Sequence, residues 1–267
     1  MANGGLSESS ILPESRVAPD ARVARIFLDD ASALSGTTMT IQGRAVRRLS
    51  RVLRLRRGDA LEVIHDDQLY VVQLTRVRQD VAEGEVTASR PVEVNRPPLV
   101  TLCPAVIRPQ RFEMVIEKAT ELGVDHVRPV RAIRSLAKSQ SGERIARWKR
   151  IVTEASEQCR REQRPSIDEP VDLETLVAAA AGPATVRIMA SAWERSRRIG
   201  EVLDDVEAPQ AVEILVGPEG GFTPGEAELA EANGWIPVTL GPRPLRAETA
   251  GMVAAAVVQE ALLRSRD

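Results

Sequence analysis

The stretch Gly217-Pro218-Glu219-Gly220-Gly221-Phe222 follows the apolar run Ile214-Leu215-Val216 and sets one carboxylate among residues that permit unusual backbone shapes. Thr223-Pro224-Gly225-Glu226, directly after it, spells a helix N-terminal capping box with proline at the first helical position. The spacing therefore predicts strand, glycine-rich turn, helix, with the first helical amides facing the turn. A phosphate is the usual guest at such a place. Here the lysine and hydroxyl of a phosphate-binding loop and the spacing of a dinucleotide fingerprint are both missing. Glu219 would also repel a phosphate at close range. A neutral or cationic ligand with hydroxyls, such as a nucleoside carrying a sulfonium, is compatible with this loop. So is a plain tight turn with no ligand.

A second irregular segment, Leu240 to Gly251 (LGPRPLRAETAG), leads into the last helix of the chain. Arg246 has the planar donor fork that polarises carbonyl oxygens or grips a phosphate. Glu248 is either a proton acceptor or an acid placed to suit the positive end of a helix. From Gln42 to Arg57 the chain carries seven arginines (Arg44, Arg47, Arg48, Arg51, Arg54, Arg56 and Arg57) and no acid. Some belong to a solvated face, but this number exceeds what solubility requires and points to contact with an RNA backbone.

The elements that must position these residues fall into two rhythms. Residues 23–95 read as short strands (ARIFL, ALEVIH, LYVVQLTRV, EGEVTAS) separated by turn signals, with one helix marked by Val46, Leu49 and Leu53. That is the pattern of a small β-barrel. Asn95-Arg96-Pro97-Pro98 is a linker, since consecutive prolines stop helix and sheet pairing alike. From Leu99 onward strands and helices alternate (LVTLCPAV, VDHVRPV, TVRIMAS, VEILVGP and WIPVTLG as strands), as in an α/β domain with a mostly parallel sheet. Residues 1–22 are small, polar and proline-containing, and are expected to form a flexible leader.

Composition narrows the classes further. Hydrophobic residues at 43% with 28% charged match a soluble globular protein, while 3% aromatics leave the core to Val, Leu, Ile and Ala. No apolar run approaches the roughly 20 residues that span a bilayer, and the N-terminus lacks a secretory pattern, so a cytoplasmic location with no membrane partner is expected. Two cysteines and two histidines, scattered, supply neither a disulfide framework nor a metal centre. A formal net charge of −2 opposes general coating of nucleic acid and leaves the arginine run as a local docking patch.

Five stretches, in order, carry a resemblance: Val52–Asp59 (VLRLRRGD), Glu117–Val124 (EKATELGV), Glu154–Arg161 (EASEQCRR), Leu215–Phe222 (LVGPEGGF) and Leu240–Ala250 (LGPRPLRAETA). Together they resemble the RsmE family, the uridine-N3 methyltransferases of small-subunit (16S) ribosomal RNA in the SPOUT superfamily. The likeness covers nearly all of the chain after the leader, which is the part that departs from the pattern. It implies a SPOUT-type α/β domain over residues 99–267 with a C-terminal trefoil knot, a topology that general rules of chain connection would not have offered. It implies a PUA-like RNA-binding barrel over residues 23–95. It also implies S-adenosyl-L-methionine as cofactor, held by Met189, Leu215, Gly217, Glu219, Gly220, Gly221, Leu240, Gly241, Leu245 and Arg246. Glu219 either accepts from cofactor hydroxyls or braces its own loop.

The expected partners are 16S ribosomal RNA, free or in the assembled small subunit, and a second copy of the chain. Met252, Val253, Val257 and Val258 of the last helix either form part of the dimer contact or simply cover the sheet. The chemistry implied is attack by uracil N3 on a methyl carbon, which needs removal of the N3 proton and a donor for charge on the uracil oxygens. Arg246 is the expected donor. Glu248, or water, is the base. Arg160 reaches substrate or is a solvated helix end, and Thr249 holds a carboxylate or the base edge, or caps the helix. The rival readings are another SPOUT methyltransferase, acting on transfer RNA or a ribose hydroxyl, and a catalytically silent ribosome assembly factor. Replacing Arg47, Arg48 and Arg51 together by Glu is expected to weaken RNA binding in a filter titration and to leave cofactor affinity by calorimetry unchanged. Equal RNA affinity for the two proteins removes this patch from the interaction.

Overall fold

The computed structural model describes residues 23–29, 34–136 and 142–264, so the expected leader lies outside the described residues. The chain divides into two units between Glu93 and Val94.

In the first unit, β1 (Ala24–Phe27), β2 (Leu34–Ser35), β3 (Thr38–Gln42), β4 (Ala60–His65), β5 (Gln68–Val77) and β6 (Val81–Pro91) form one sheet in the order β1-β4-β5-β6-β3-β2. The β1–β4 pair is parallel and the rest are antiparallel. Ile26 near one edge and Met39 and Ile41 near the other share a single core with Leu61, Val63, Val72 and Leu74. Side chains so far apart in strand order meet only if the sheet curls on itself. The hairpin β2–β3 was not expected, because its Thr- and Gly-rich residues carry a weak apolar alternation.

Between β3 and β4 the chain forms α1 (Gly43–Arg47) and runs on into a π-helical turn over Arg48–Val52. Val46 and Leu49 point into the curled sheet. That burial turns Arg44, Arg47 and Arg51 outward, and Arg54, Arg56 and Arg57 are exposed in the following loop. Arg48 differs from its neighbours: it is half-buried and has interactions of its own.

The second unit is built on a six-stranded, all-parallel sheet. Its strands are β7 (Leu99–Pro104), β8 (His126–Val127), β10 (Ser166–Ile167), β12 (Thr185–Ala190), β13 (Ala211–Val216) and β14 (Ile236–Val238), in the order β10-β8-β7-β13-β12-β14. VDHVRPV, expected as one strand, is split. It supplies β8 to this sheet and β9 (Val130–Arg131) to a separate pair with β11 (Val171–Asp172), because Pro129 cannot continue a ladder.

Strand alternation divides the core into two layers. Val100, Leu102, Val186, Ile188, Val212 and Ile214 face α2 (Pro109–Glu121), α3 (Gly142–Gln158), α5 (Ile199–Asp204) and α7 (Ala247–Arg264). Phe112 of α2 and Trp148 of α3 meet here, with ring centroids 4.7 Å apart. Cys103, Met189 and Leu215 face the other way, toward α4 (Leu173–Ala178) and α6 (Pro224–Ala232). On that second face Arg187 is buried, but its Nε donates to Glu213 at 2.8 Å and its guanidinium lies 5.3 Å from the Trp235 ring. Burial, with Glu213 nearby, pushes the Cys103 thiol far above its ordinary range, so it stays a neutral core residue.

Among the described residues no helix is long and apolar enough to cross a membrane. Among the described glycines of the first unit, Gly84 of β6 has the least room: an added Cβ would press on Val72 Cγ1 and lie 2.8 Å from the Gln73 carbonyl oxygen. Gly84→Ala is therefore expected to cost about 1–3 kcal/mol, read as a lower denaturant midpoint for this unit. An unchanged midpoint would contradict the tight β5–β6 approach.

Candidate functional site

Register brings the two chemical loops together. Ala190 of β12 lies level with Val216 of β13 on one side and Val238 of β14 on the other. Three parallel strands thus end on one line, and three loops leave from it. The chain also reverses direction across the sheet here: β13 lies on one side of β12, and β14 returns to the other side. Ligands of open parallel sheets settle at the carboxyl ends of strands where such a reversal occurs. The returning chain is held close, since Ser191 N donates to Val238 O at 3.0 Å and Thr239 N to Arg197 O at 2.9 Å.

Between these loops lies a cavity of about 290 Å³, near the small end of the usual range for ligand sites. Met189, Gly217, Glu219, Gly220, Gly221, Leu240, Gly241 and Leu245 all line it. Two expected cofactor contacts do not. Leu215 points to the opposite face of the sheet and is buried against the α4–α6 layer, as strand alternation from the lining residue Val216 requires. Arg246 is exposed beside the lining residues Leu245 and Ala247, which places it at the rim.

The glycines do more than leave room for a guest. A Cβ at Gly217 would lie 3.2 Å from the Phe222 ring and 3.3 Å from its amide nitrogen. At Gly220 it would lie 3.1 Å from Arg134 Cδ, and Arg134 Nη1 donates to the Gly220 carbonyl at 2.7 Å. Gly221 has φ of +66°. Much of the glycine density thus serves the loop's own fold. The expected capping box is formed: Glu226 N donates to Thr223 Oγ1 at 3.2 Å, and Thr223 N to Glu226 Oε2 at 2.8 Å. Ile133 N donates to the second oxygen of Glu226 at 2.7 Å, tying the loop to the segment after β9.

Glu219 and Glu248 share one cation. Arg111, in the first turn of α2, lies with Nη1 3.8 Å from Glu219 Oε1 and Nε 3.5 Å from Glu248 Oε1. The Glu248 side chain is only 9% exposed, and its Oε2 is buried with no hydrogen-bond partner among the described residues. Thr249 is the next residue of α7, part-exposed and outside the cavity lining.

Arg160 is not brought to this site. It lies just beyond α3 in a left-handed conformation, φ +62°, and is exposed. The adjoining Arg161 donates to Thr120 O and Val124 O, at the end of α2 opposite Arg111. Through Arg161 the EASEQCRR motif therefore braces the far end of α2, and the expectation of Arg160 at the site is not met.

A profile of the RNA methyltransferase domain matches residues 95–259, more than half of the chain. The chain belongs to that family. Within the family, the chain is 37% identical over 229 residues to the ribosomal RNA small subunit methyltransferase E of Synechocystis sp., covering 85% of this chain and 74% of that one. It is 32% identical over 251 residues to the enzyme of the same name from Mycobacterium bovis, covering 88% and 91%. The fold is similar to that of a methyltransferase from Legionella pneumophila in complex with S-adenosylmethionine, at TM-score 0.79 and 28% identity over 90% of this chain and 98% of that one. It is also similar to the ribosomal RNA small subunit methyltransferase E of Neisseria gonorrhoeae bound to S-adenosyl methionine, at TM-score 0.77 and 28% identity over 89% and 97%.

In this member of the RNA methyltransferase family, sequence reasoning missed Arg111 and the segment Ala192–Arg195 that completes the cavity wall. Arg111 had one readable signal: arginine in a first helical turn with no acid opposes the helix dipole and calls for an anion from elsewhere. Glu194 had none, because three of its four donors are main-chain amides. Its Oε1 accepts from Ser196 N at 2.7 Å, Arg197 N at 3.1 Å, Ser196 Oγ at 3.0 Å and Arg195 N at 2.8 Å. The Ser196 and Arg197 amides, followed by the Ser196 hydroxyl, lower its pKa from 4.5 to about 2. With the folded-state value lowered, this hold on the loop is complete above pH about 4.5 and is lost as the pH falls through about 2. A carbon-13 titration of the Glu194 carboxyl is expected to show a midpoint near about 2. A midpoint near the ordinary value of about 4.3 would contradict the four-donor cradle.

Proposed function

We propose that this chain methylates N3 of a specific uridine in 16S ribosomal RNA, using S-adenosyl-L-methionine. The observation that carries the reading is the cavity at the level ends of β12, β13 and β14, in a chain whose similar solved structures hold that cofactor. The residues fit the group. The lining is mostly small residues and loop main chain, the carboxylate of Glu219 tolerates a cation nearby, and the loops leave a volume of about 290 Å³. Met189, Gly217, Glu219, Gly220, Gly221, Leu240, Gly241 and Leu245 would hold it. When bound, the cofactor supplies a methyl group on a positively charged sulfur.

The chain's own side chains do the rest. Loss of the N3 proton spreads negative charge over the uracil oxygens, and Arg246, exposed at the rim, stabilises that charge. Glu248, buried just behind the lining residues Ala247 and Ala250, takes up the proton by way of water, its Oε2 having no partner among the described residues while Arg111 steadies Oε1. Thr249 orients the base edge from the same turn of α7. Arg160 takes no part, given its position.

The wider reading follows the same lines. The curled first unit acts as a PUA-like RNA-binding barrel over residues 23–95, and residues 99–267 form the SPOUT domain. A trefoil knot is supported by the return of β14 to the far side of β12 and by the bridge between Thr239 and Arg198, the last residue of the β12–α5 loop. A homodimer is supported by the part-exposed apolar residues Val253 and Val257 of α7, which border a groove with α5. The enzyme works in the cytoplasm on ribosomal RNA, free or in the assembled small subunit.

The test is methyl transfer from labelled cofactor to 16S ribosomal RNA lacking N3-methyluridine, followed by nucleoside mass spectrometry. N3-methyluridine is the expected product, and a different methylated nucleoside would overturn the assignment. Arg246→Ala is expected to bind the cofactor normally by calorimetry and to lose about 100-fold or more in turnover. Normal turnover would remove Arg246 from the chemistry.

A further inference from the structure

Three tryptophans are present, and two are core residues at 1% exposure, Trp148 and Trp235. Trp193 is 81% exposed although it belongs to the wall of the cavity. A ring that served only as cavity wall would be sheltered by that cavity, so most of this indole looks out from the mouth. Its loop is not loose. Trp193 N and Glu194 N both donate to Ser191 Oγ, at 3.2 and 3.3 Å, and Glu194 accepts from the next three residues. A large apolar ring held outward on a braced loop exposes surface without benefit to folding, which marks a contact site.

The surroundings say what kind of partner fits. Arg195, Arg197 and Arg198 follow Trp193 directly, and Arg243 and Arg246 stand on the opposite loop. All five are exposed, and none enters an ion pair among the described residues. Arg195 and Arg243 line the same cavity as Trp193. Glu194, the acid within this set, is turned back onto its own loop by four donors. An aromatic face amid unpaired arginines is the chemistry that receives an unpaired base and its neighbouring phosphates.

Resting on the proposed RNA methylation, we infer that Trp193 stacks on an unpaired base flanking the target nucleotide. The flanking base, rather than the target, is indicated by the outward aim of the ring. A base entering the cavity must leave its stack, and its neighbour then loses a stacking face. Trp193 replaces that face, while Arg195, Arg197 and Arg243 hold the adjoining phosphates. Stacking tolerates any base, so this contact supplies affinity and positioning more than sequence choice.

The experiment uses the full chain as wild type, Trp193→Ala and Trp193→Phe. Kinetics with 16S ribosomal RNA lacking N3-methyluridine are combined with calorimetry for S-adenosylmethionine and with tryptophan emission during RNA addition. Trp193→Ala is expected to raise KM for RNA about tenfold or more with the cofactor Kd unchanged, and Trp193→Phe to restore most of that loss. RNA should quench the wild-type emission and leave Trp193→Phe, which keeps only the two buried tryptophans, unaltered. An unchanged RNA KM in Trp193→Ala would overturn the inference. So would a weakened cofactor Kd with RNA KM unchanged, which would make the ring a cofactor wall. Emission already shielded from acrylamide before RNA is added, and insensitive to RNA, would assign the ring to a second copy of the chain and overturn it too. A wild-type protein that transfers no methyl group to this RNA defeats the proposed function, whereas quenching by RNA in that same protein keeps the stacking contact.

Discussion

The common level at which β12, β13 and β14 end is the constraint on which the rest of the second unit depends. Parallel pairing fixes Ala190 beside both Val216 and Val238, so the segments that follow must leave the sheet together. A slip of one residue in either pairing would turn every side chain of that strand to the other face, and the two core layers forbid it. Val216 of one layer and Met189 of the other both border the cavity, which lies where the strand ends leave the two layers.

Electrostatics divides that site into an acidic interior and a cationic rim. Glu219 lines the cavity from the glycine-rich loop, Glu248 is buried behind it in the first turn of α7, and Arg111 of α2 stands between them. Such a bridge, part-exposed and with separations of 3.5 and 3.8 Å, contributes less to stability than to the relative placement of the two acids. Outside, exposed arginines of the two facing loops stand without acidic partners among the described residues. This arrangement suits a positively charged donor within and a polyanion across the mouth, the pairing that the proposed reaction requires.

The large elements were legible because their physics is local. Periodic apolar residues marked α2, α3 and α7, and the Thr223–Glu226 cap marked the start of α6. Continuous apolar runs marked β7, β12 and β13. Short pieces such as α4, α5 and the β2–β3 hairpin were not legible, since five or six residues carry too little periodicity to separate them from loop. At the site, residues on the two flagged loops were found because glycine and proline announce irregular backbone. Arg111 and Glu194 were missed because their partners arrive from distant segments or from main-chain amides. Arg160 was misplaced for the converse reason. Its motif shares a helix end with Arg161, whose guanidinium holds the carbonyls at the far end of α2.

The central claim is that three loops leaving one level of the sheet enclose the methyl donor. A crystal structure of the protein grown with saturating S-adenosylmethionine tests it most directly. The account predicts the adenosyl group lodged against the main chain of residues 217–221 and 240–245. Clear density for the cofactor anywhere else, or an empty cavity at saturating concentration, would contradict it.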